Sequence, residues 1–130
     1  MGLILDSSVL IAAERASQTV TDLLEQTLQA RGDQEVALAS VALVELAHGI
    51  YRATTPERRN RREEFVQELL RDVSVYPLTP QTALLAGKID GEQQAKGITI
   101  PFPDLLIGVT ALTGGFTAYL LGPILVYFDA

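Results

Sequence analysis

Apolar positions along the chain fall into two kinds of run that alternate. Residues 3–6, 36–39, 73–76 and 116–121 form short stretches that are mostly apolar on consecutive positions. The stretches between them are longer and carry apolar residues at helical spacing, as at Val20, Leu23, Leu24 and Leu28. The pattern predicts helices over 7–16 and 19–30, the second closed by Gly32. A third runs from Ser40, a good capping residue, to about Ala53. Thr55-Pro56-Glu57 starts a fourth, with Pro in its first turn and Phe65, Val66, Leu69 and Leu70 on its apolar side. Thr79-Pro80 starts a fifth, ending near Lys96-Gly97, and residues 104–112 form a sixth. Short apolar strands alternating with helices predict an α/β fold whose parallel sheet is covered on both faces. At 130 residues the chain suits one domain, and it shows no repeat, linker or low-complexity segment.

Composition then narrows the chemistry. Cysteine is absent, so neither a disulfide framework nor a thiolate metal site can form, and a reducing cytoplasm fits. The single histidine, His48, excludes any site that needs two imidazoles, and no nucleophile elbow stands near it to build a triad. Hard-metal chemistry on carboxylates stays open. The net charge of -6 argues against a generic nucleic-acid coat. The positive charge is uneven, however: Arg52, Arg58, Arg59, Arg61 and Arg62 supply five of the ten Lys+Arg. That segment is either a solvated helix with Arg/Glu pairs or a local basic patch able to steer RNA phosphates.

The ends bear on location. No basic segment precedes the short apolar stretch at the N-terminus, which speaks against a signal peptide. Residues 105–128 carry no charge, long enough to span a bilayer. Gly114-Gly115 interrupts them as a helix stop, so a buried helix followed by a buried strand is the expected structure rather than a membrane anchor.

Three carboxylates stand in apolar company. Asp6 closes the first predicted strand in "ILDSSVLI", where it can cap a helix or bind a metal. Glu45 in "SVALVELAHGI" lies on a helix that is apolar on nearly all sides at its start, which predicts burial; an Arg52 contact or a place on the helix surface would be its structural explanation. Asp104 in "PFPDLLIGVTAL" can likewise be an N-cap or a ligand. Asp22, Glu25, Asp33, Glu57, Glu63, Glu64, Glu68, Asp72, Asp90 and Glu92 sit in polar stretches and read as solvated. Acids at three strand–helix junctions, far apart in sequence, suit Mg²⁺ or Mn²⁺, which take oxygen ligands and keep several waters. Without metal the three would repel one another. Activity of such a site is expected to rise with pH as the carboxylates lose protons.

The segments "LILDSSVLIA", "ASVALVELAHGI" and "GITIPFPDLLIGVTAL" resemble, in order and spacing, the three main motifs of PIN-domain ribonucleases. They are most similar to the VapC-like toxins of type II toxin–antitoxin modules, over about residues 3–119. The resemblance implies a three-layer α/β/α sandwich with a central parallel sheet. It implies that Asp6, Glu45 and Asp104 bind Mg²⁺ or Mn²⁺ and cut RNA with activated water, with Ser8 supporting the metal site. It further implies a homodimer silenced by a small antitoxin protein. The chain departs from the family from about residue 120, in "AYLLGPILVYFDA". Leu120 stands where the family has Thr and Gly122 where it has Asn, and no acid follows until Asp129. A fourth acidic ligand is therefore missing from the alignment. That departure supports a second reading, a catalytically impaired PIN-like domain that binds RNA or antitoxin without cutting.

Overall fold

The computed structural model of the chain describes residues 2–119, with side chains described through 115. Strand β1 (Gly2–Leu5) leads into α1 (Ser7–Arg15) and α2 (Val20–Arg31). Strand β2 (Glu35–Ala39) is followed by α3 (Ser40–Tyr51) and α4 (Pro56–Asp72). Strand β3 (Ser74–Tyr76) is followed by α5 (Pro80–Ala95), α6 (Phe102–Gly114) and β4 (Phe116–Tyr119). The part of the last predicted strand at Leu120 and Leu121 lies outside the described residues, as does the divergent tail.

The four strands form one parallel sheet in the order β3-β2-β1-β4. The chain builds outward from β1 to β3, then returns to the other side of β1. Sheet order therefore reverses beside β1, and the carboxyl ends of strands at such a reversal are where α/β folds place ligands.

Side-chain alternation along the strands separates two cores. Leu5 and Leu38 point into a cluster with Val9, Leu10, Leu46 and Phe65. Ile4, Ala37 and Ala39 point the other way, against Ile107 and Ala111 of α6. Helices thus cover both faces, which is the three-layer α/β/α sandwich with a central parallel sheet that the sequence leads one to expect.

Local starts and stops follow capping chemistry. Thr19 accepts from the backbone N of Asp22, whose carboxylate accepts from Thr19 N, a reciprocal capping box. Thr55 and Thr79 cap α4 and α5 ahead of their prolines. Gly115 ends α6 in the left-handed region, φ 72 and ψ 25, which glycine adopts without a Cβ penalty.

Four details differ from the sequence reading. Ser40 is the first helical residue of α3 rather than its cap; Ala39 precedes it, with no side-chain cap bond. Helix α6 begins at Phe102, so Asp104 sits inside its first turn and is not an N-cap. Prolines at 101 and 103 explain the shift, because the first turn needs no N–H donors there. Helix α3 is not buried all round: Ala42, Leu46 and Ile50 face the core while Val44 is 67% exposed. Glu68, read as solvated, accepts from Val20 N and ties α4 to the start of α2.

Among the described residues no helix is long and apolar enough to cross a membrane.

Candidate active site

Asp6 is the residue on which β1 becomes α1. Its extended backbone, φ -71 and ψ 152, makes it the N-cap of α1. One carboxylate oxygen, Oδ2, accepts from Ser8 N at 3.1 Å and from Ser8 Oγ. The other oxygen, Oδ1, is buried and makes no hydrogen bond among the described residues. A cap explains one oxygen only. A buried carboxylate oxygen without a donor costs on the order of 1–3 kcal/mol, more when charged, unless something electropositive reaches it. The residue is both cap and candidate ligand, each role on its own oxygen.

Glu45 lies on the second turn of α3 and is half-buried rather than buried. Its Oε1 accepts from Ser7 Oγ at 2.7 Å. Ser7, not Arg52, is thus the partner the structure gives it. Arg52 instead ends α3, its backbone N bonded to His48 O, with the side chain in solvent. His48 is exposed on the outer side of α3.

Asp104 is half-buried in the first turn of α6. Its carboxyl is pushed above the ordinary carboxylate range, first by burial, then by the negative charges of Asp6 and Glu45. The three acids named from the sequence are therefore brought within electrostatic reach of one another at one edge of the sheet. They do not form a closed cage: among the described residues no three acidic or histidine side chains stand at metal-holding spacing.

A hard divalent cation fits this donor set. All the donors are oxygen, one of them is a buried oxygen lacking a hydrogen-bond partner among the described residues, and the negative charges of Asp6 and Glu45 raise the Asp104 carboxyl. Mg²⁺ in particular binds through one or two carboxylates and keeps waters, so a closed cage is not required.

A stability consequence follows for the metal-free protein. Asp104 binds its proton more tightly in the native state than in the unfolded chain, whose ordinary value is near 3.8. The native state then carries more protons than the unfolded state through the window between the two values. Stability accordingly falls as pH rises from the ordinary carboxylate range through the native-state pKa. Asp104→Asn is expected to remove that decline. Urea midpoints of both proteins in EDTA, from about pH 4 to about pH 7, test it; parallel curves would refute it.

Two residues at the site escaped the sequence reading. The family resemblance gives Ser8 a supporting role, and Ser8 donates its backbone N–H and its hydroxyl to Asp6 Oδ2. Ser7 links the first acidic motif to the second. Its signal was faint: it stands beside Ser8, and only the packing of α3 across α1 tells the two serines apart. Ser7→Ala is expected to lower cleavage about tenfold with little change in unfolding temperature, as losses behind a metal ligand commonly do. Unchanged turnover in a folded variant would deny Ser7 that role.

The second is Glu14, 6% exposed on α1. Arg61 donates Nε to its Oε1 at 3.3 Å, and Arg62 Nε stands 3.7 Å from its Oε2. Arg62 also donates to Gly49 O at 2.6 Å. Of the five arginines named for RNA, Arg61 and Arg62 thus turn inward to Glu14, with Arg61 still half exposed. Arg52, Arg58 and Arg59 are exposed, and Arg59 lies 6.0 Å over the Tyr51 ring.

Comparison with known proteins supplies the frame. The PIN domain family model matches residues 3–130. Ribonuclease VapC1 of Rickettsia felis is 26% identical over 117 residues, covering 90% of this chain and 82% of the relative. Ribonuclease VapC of Rickettsia bellii is 30% identical over 113 residues, covering 87% of this chain and 79% of the relative. The fold is similar to the crystal structure of VapBC-5, a member of the VapBC family of toxin–antitoxin systems from Mycobacterium tuberculosis. There the TM-score is 0.77 at 21% identity, covering 100% of this chain and 93% of that one. With almost its whole length matched by the family model and its fold shared, the chain belongs to the PIN-domain family and is VapC-like within it.

Proposed function

We propose that this protein is a Mg²⁺- or Mn²⁺-dependent endoribonuclease and the toxin of a toxin–antitoxin pair, with Asp6, Glu45 and Asp104 as its catalytic and metal-holding residues. The observation that carries the reading is Asp6: a buried carboxylate at the sheet reversal with one oxygen capped and the other without a donor among the described residues. The elevated carboxyl of Asp104, caused in part by Asp6 and Glu45, supports a shared site. Names of the Rickettsia relatives support RNA as substrate.

A divalent cation held there supplies Lewis acidity toward a phosphodiester and toward an attacking water. The chain's residues do the rest. Asp6 offers Oδ1 while Ser8 keeps its other oxygen fixed. Glu45 offers the oxygen that Ser7 leaves free. Asp104, whose carboxyl holds a proton more readily than usual, is placed to accept one from water or to complete the ligand set. Arg58 and Arg59 on the exposed side of α4 meet RNA phosphates.

The partner is a cognate antitoxin protein. An apolar cleft lined by Ile11, Leu46, Phe65 and Val66 opens beside Glu45 and offers it a landing surface. The active species is a cytoplasmic homodimer.

The deciding experiment is cleavage of a mixed set of structured RNAs by the purified chain with Mg²⁺, with Mn²⁺ and with EDTA. Cleavage with either metal, abolished by EDTA, is expected. A folded chain that binds RNA or antitoxin but cuts nothing under either metal would replace this reading with the binding-module one, to which the sequence at Leu120 and Gly122 points.

A further inference from the structure

Helices α1 and α3 are tied at two levels. At the site, Ser7 Oγ donates to Glu45 Oε1. Farther along, the tie runs through a third helix. Arg62 of α4 donates to Gly49 O on α3 and faces Glu14 on α1, where Arg61 also bonds. Ser7 and Glu14 are seven residues apart, nearly two turns, so they share one face of α1. Glu45 and Gly49 are four apart and share one face of α3. The two ties are therefore rungs of one ladder, with roughly 10 Å of α1 between them. Glu45 of the inner rung and Glu14, Gly49 and Arg62 of the outer one line a single cleft together with Ile11 and Leu46.

The outer rung differs in kind from the pairs on the surface. The Glu14 side chain is 8% exposed and that of Arg62 24%, whereas Lys88 and Glu92 are 70% and 59% exposed. Exposed pairs contribute little, but removing one partner of a buried charge strands the other. The Arg62–Gly49 bond, at 2.6 Å, also reaches backbone, so it locates the helix itself and not merely a mobile side chain.

We propose that Glu14 and Arg62 are positioning residues: their clamp on Gly49 sets the spacing of α1 and α3 at which Ser7 orients Glu45, and so sets the metal affinity of the carboxylate site without contact with RNA. The inference rests on the metal-site reading above.

The test uses the full chain with Glu14→Gln, Arg62→Lys, Arg62→Ala and the Glu14→Gln/Arg62→Ala double variant. Mn²⁺ affinity is titrated without RNA, and the amide resonances of Ser7 and Glu45 are followed by ¹H–¹⁵N NMR without metal. Each single variant is expected to weaken Mn²⁺ binding about tenfold and to shift both amides. The double variant should be no weaker than the worse single, because one clamp is being broken twice. RNA affinity should keep its salt slope in Arg62→Ala, while Arg58→Ala lowers that slope by roughly 0.7 for a single strand. Unchanged Mn²⁺ affinity with unmoved amides in folded variants overturns the proposal. So does a reduced salt slope in Arg62→Ala with Mn²⁺ affinity intact, which would make Arg62 a phosphate contact. If Arg62→Ala fails to fold, Glu14→Gln and Arg62→Lys decide. If the wild-type chain binds no Mn²⁺, the metal reading fails by itself, and the Ser7 and Glu45 amides alone judge the clamp.

Discussion

Asp6→Asn and Glu45→Gln are each expected to slow RNA cleavage by roughly 100-fold or more while leaving the fold in place. A cation's stabilisation of developing charge is worth several kcal/mol, and each ~1.4 kcal/mol is tenfold in rate. Losing a carboxylate that holds the ion forfeits much of that. The folds should survive for different reasons. Asparagine caps helices about as well as aspartate, so the bond from Ser8 N to the residue at position 6 persists. Glutamine keeps an amide oxygen that can still accept from Ser7 Oγ. Turnover with Mn²⁺ and unfolding temperature should be measured on the same preparations. Wild-type turnover in both folded variants would remove Asp6 and Glu45 from the chemistry and with them the proposed site.

The largest effect on stability is expected from Leu10→Ala, at about 2–5 kcal/mol. Leu10 is 0% exposed, on α1 three residues beyond Ser7, and packs with Leu5, Leu38 and Phe65. Truncation removes buried methyls and leaves a cavity that close-packed neighbours fill only in part. Against a typical total of about 5–15 kcal/mol, that is a large share. Leu84→Ala provides the contrast. Leu84 is 78% exposed on α5, and its loss is expected to stay within roughly 0.5 kcal/mol. Urea unfolding of both variants at fixed pH checks the ranking. A Leu10→Ala midpoint equal to that of Leu84→Ala would mean that α1 is not anchored to the sheet as described.

Both variants concern helices that the sequence predicts, yet only one of the two leucines is core. Leu84 and Leu85 adjoin in a helix whose apolar residues do not define a sharp stripe, and spacing alone could not choose between them. Val44 misled in the same way. It lies in an apolar run, "VALVEL", and the run suggested burial on every side. Tertiary packing instead chose the line Ala42, Leu46, Ile50 and left Val44 in water.

Polar partners were harder still. Ser7–Glu45 spans 38 positions and Arg61–Glu14 spans 47. Glu45 stands out by its apolar company, but nothing local marks Ser7 as its partner. Glu14 sits in "AAER", which reads as the polar end of a short helix. Tertiary packing buries it and brings the side chains of Arg61 and Arg62 on α4 to it.

By itself the sequence determined the alternation of strands and helices, because short unbroken apolar runs, helical spacing near 3.6 residues and capping chemistry act within a few positions. It also determined where Asp6 would stand, since an acid that closes the first strand must lie at that strand's carboxyl end. Tertiary structure decided the rest of the site. Sheet order put Asp6 beside the reversal, packing left its Oδ1 buried without a donor among the described residues, and the meeting of α1, α3 and α4 paired Ser7 with Glu45 and Glu14 with its arginines. The physical reason is range. Backbone preference is local, whereas which polar atom meets which is settled by elements that the chain brings together from dozens of residues apart.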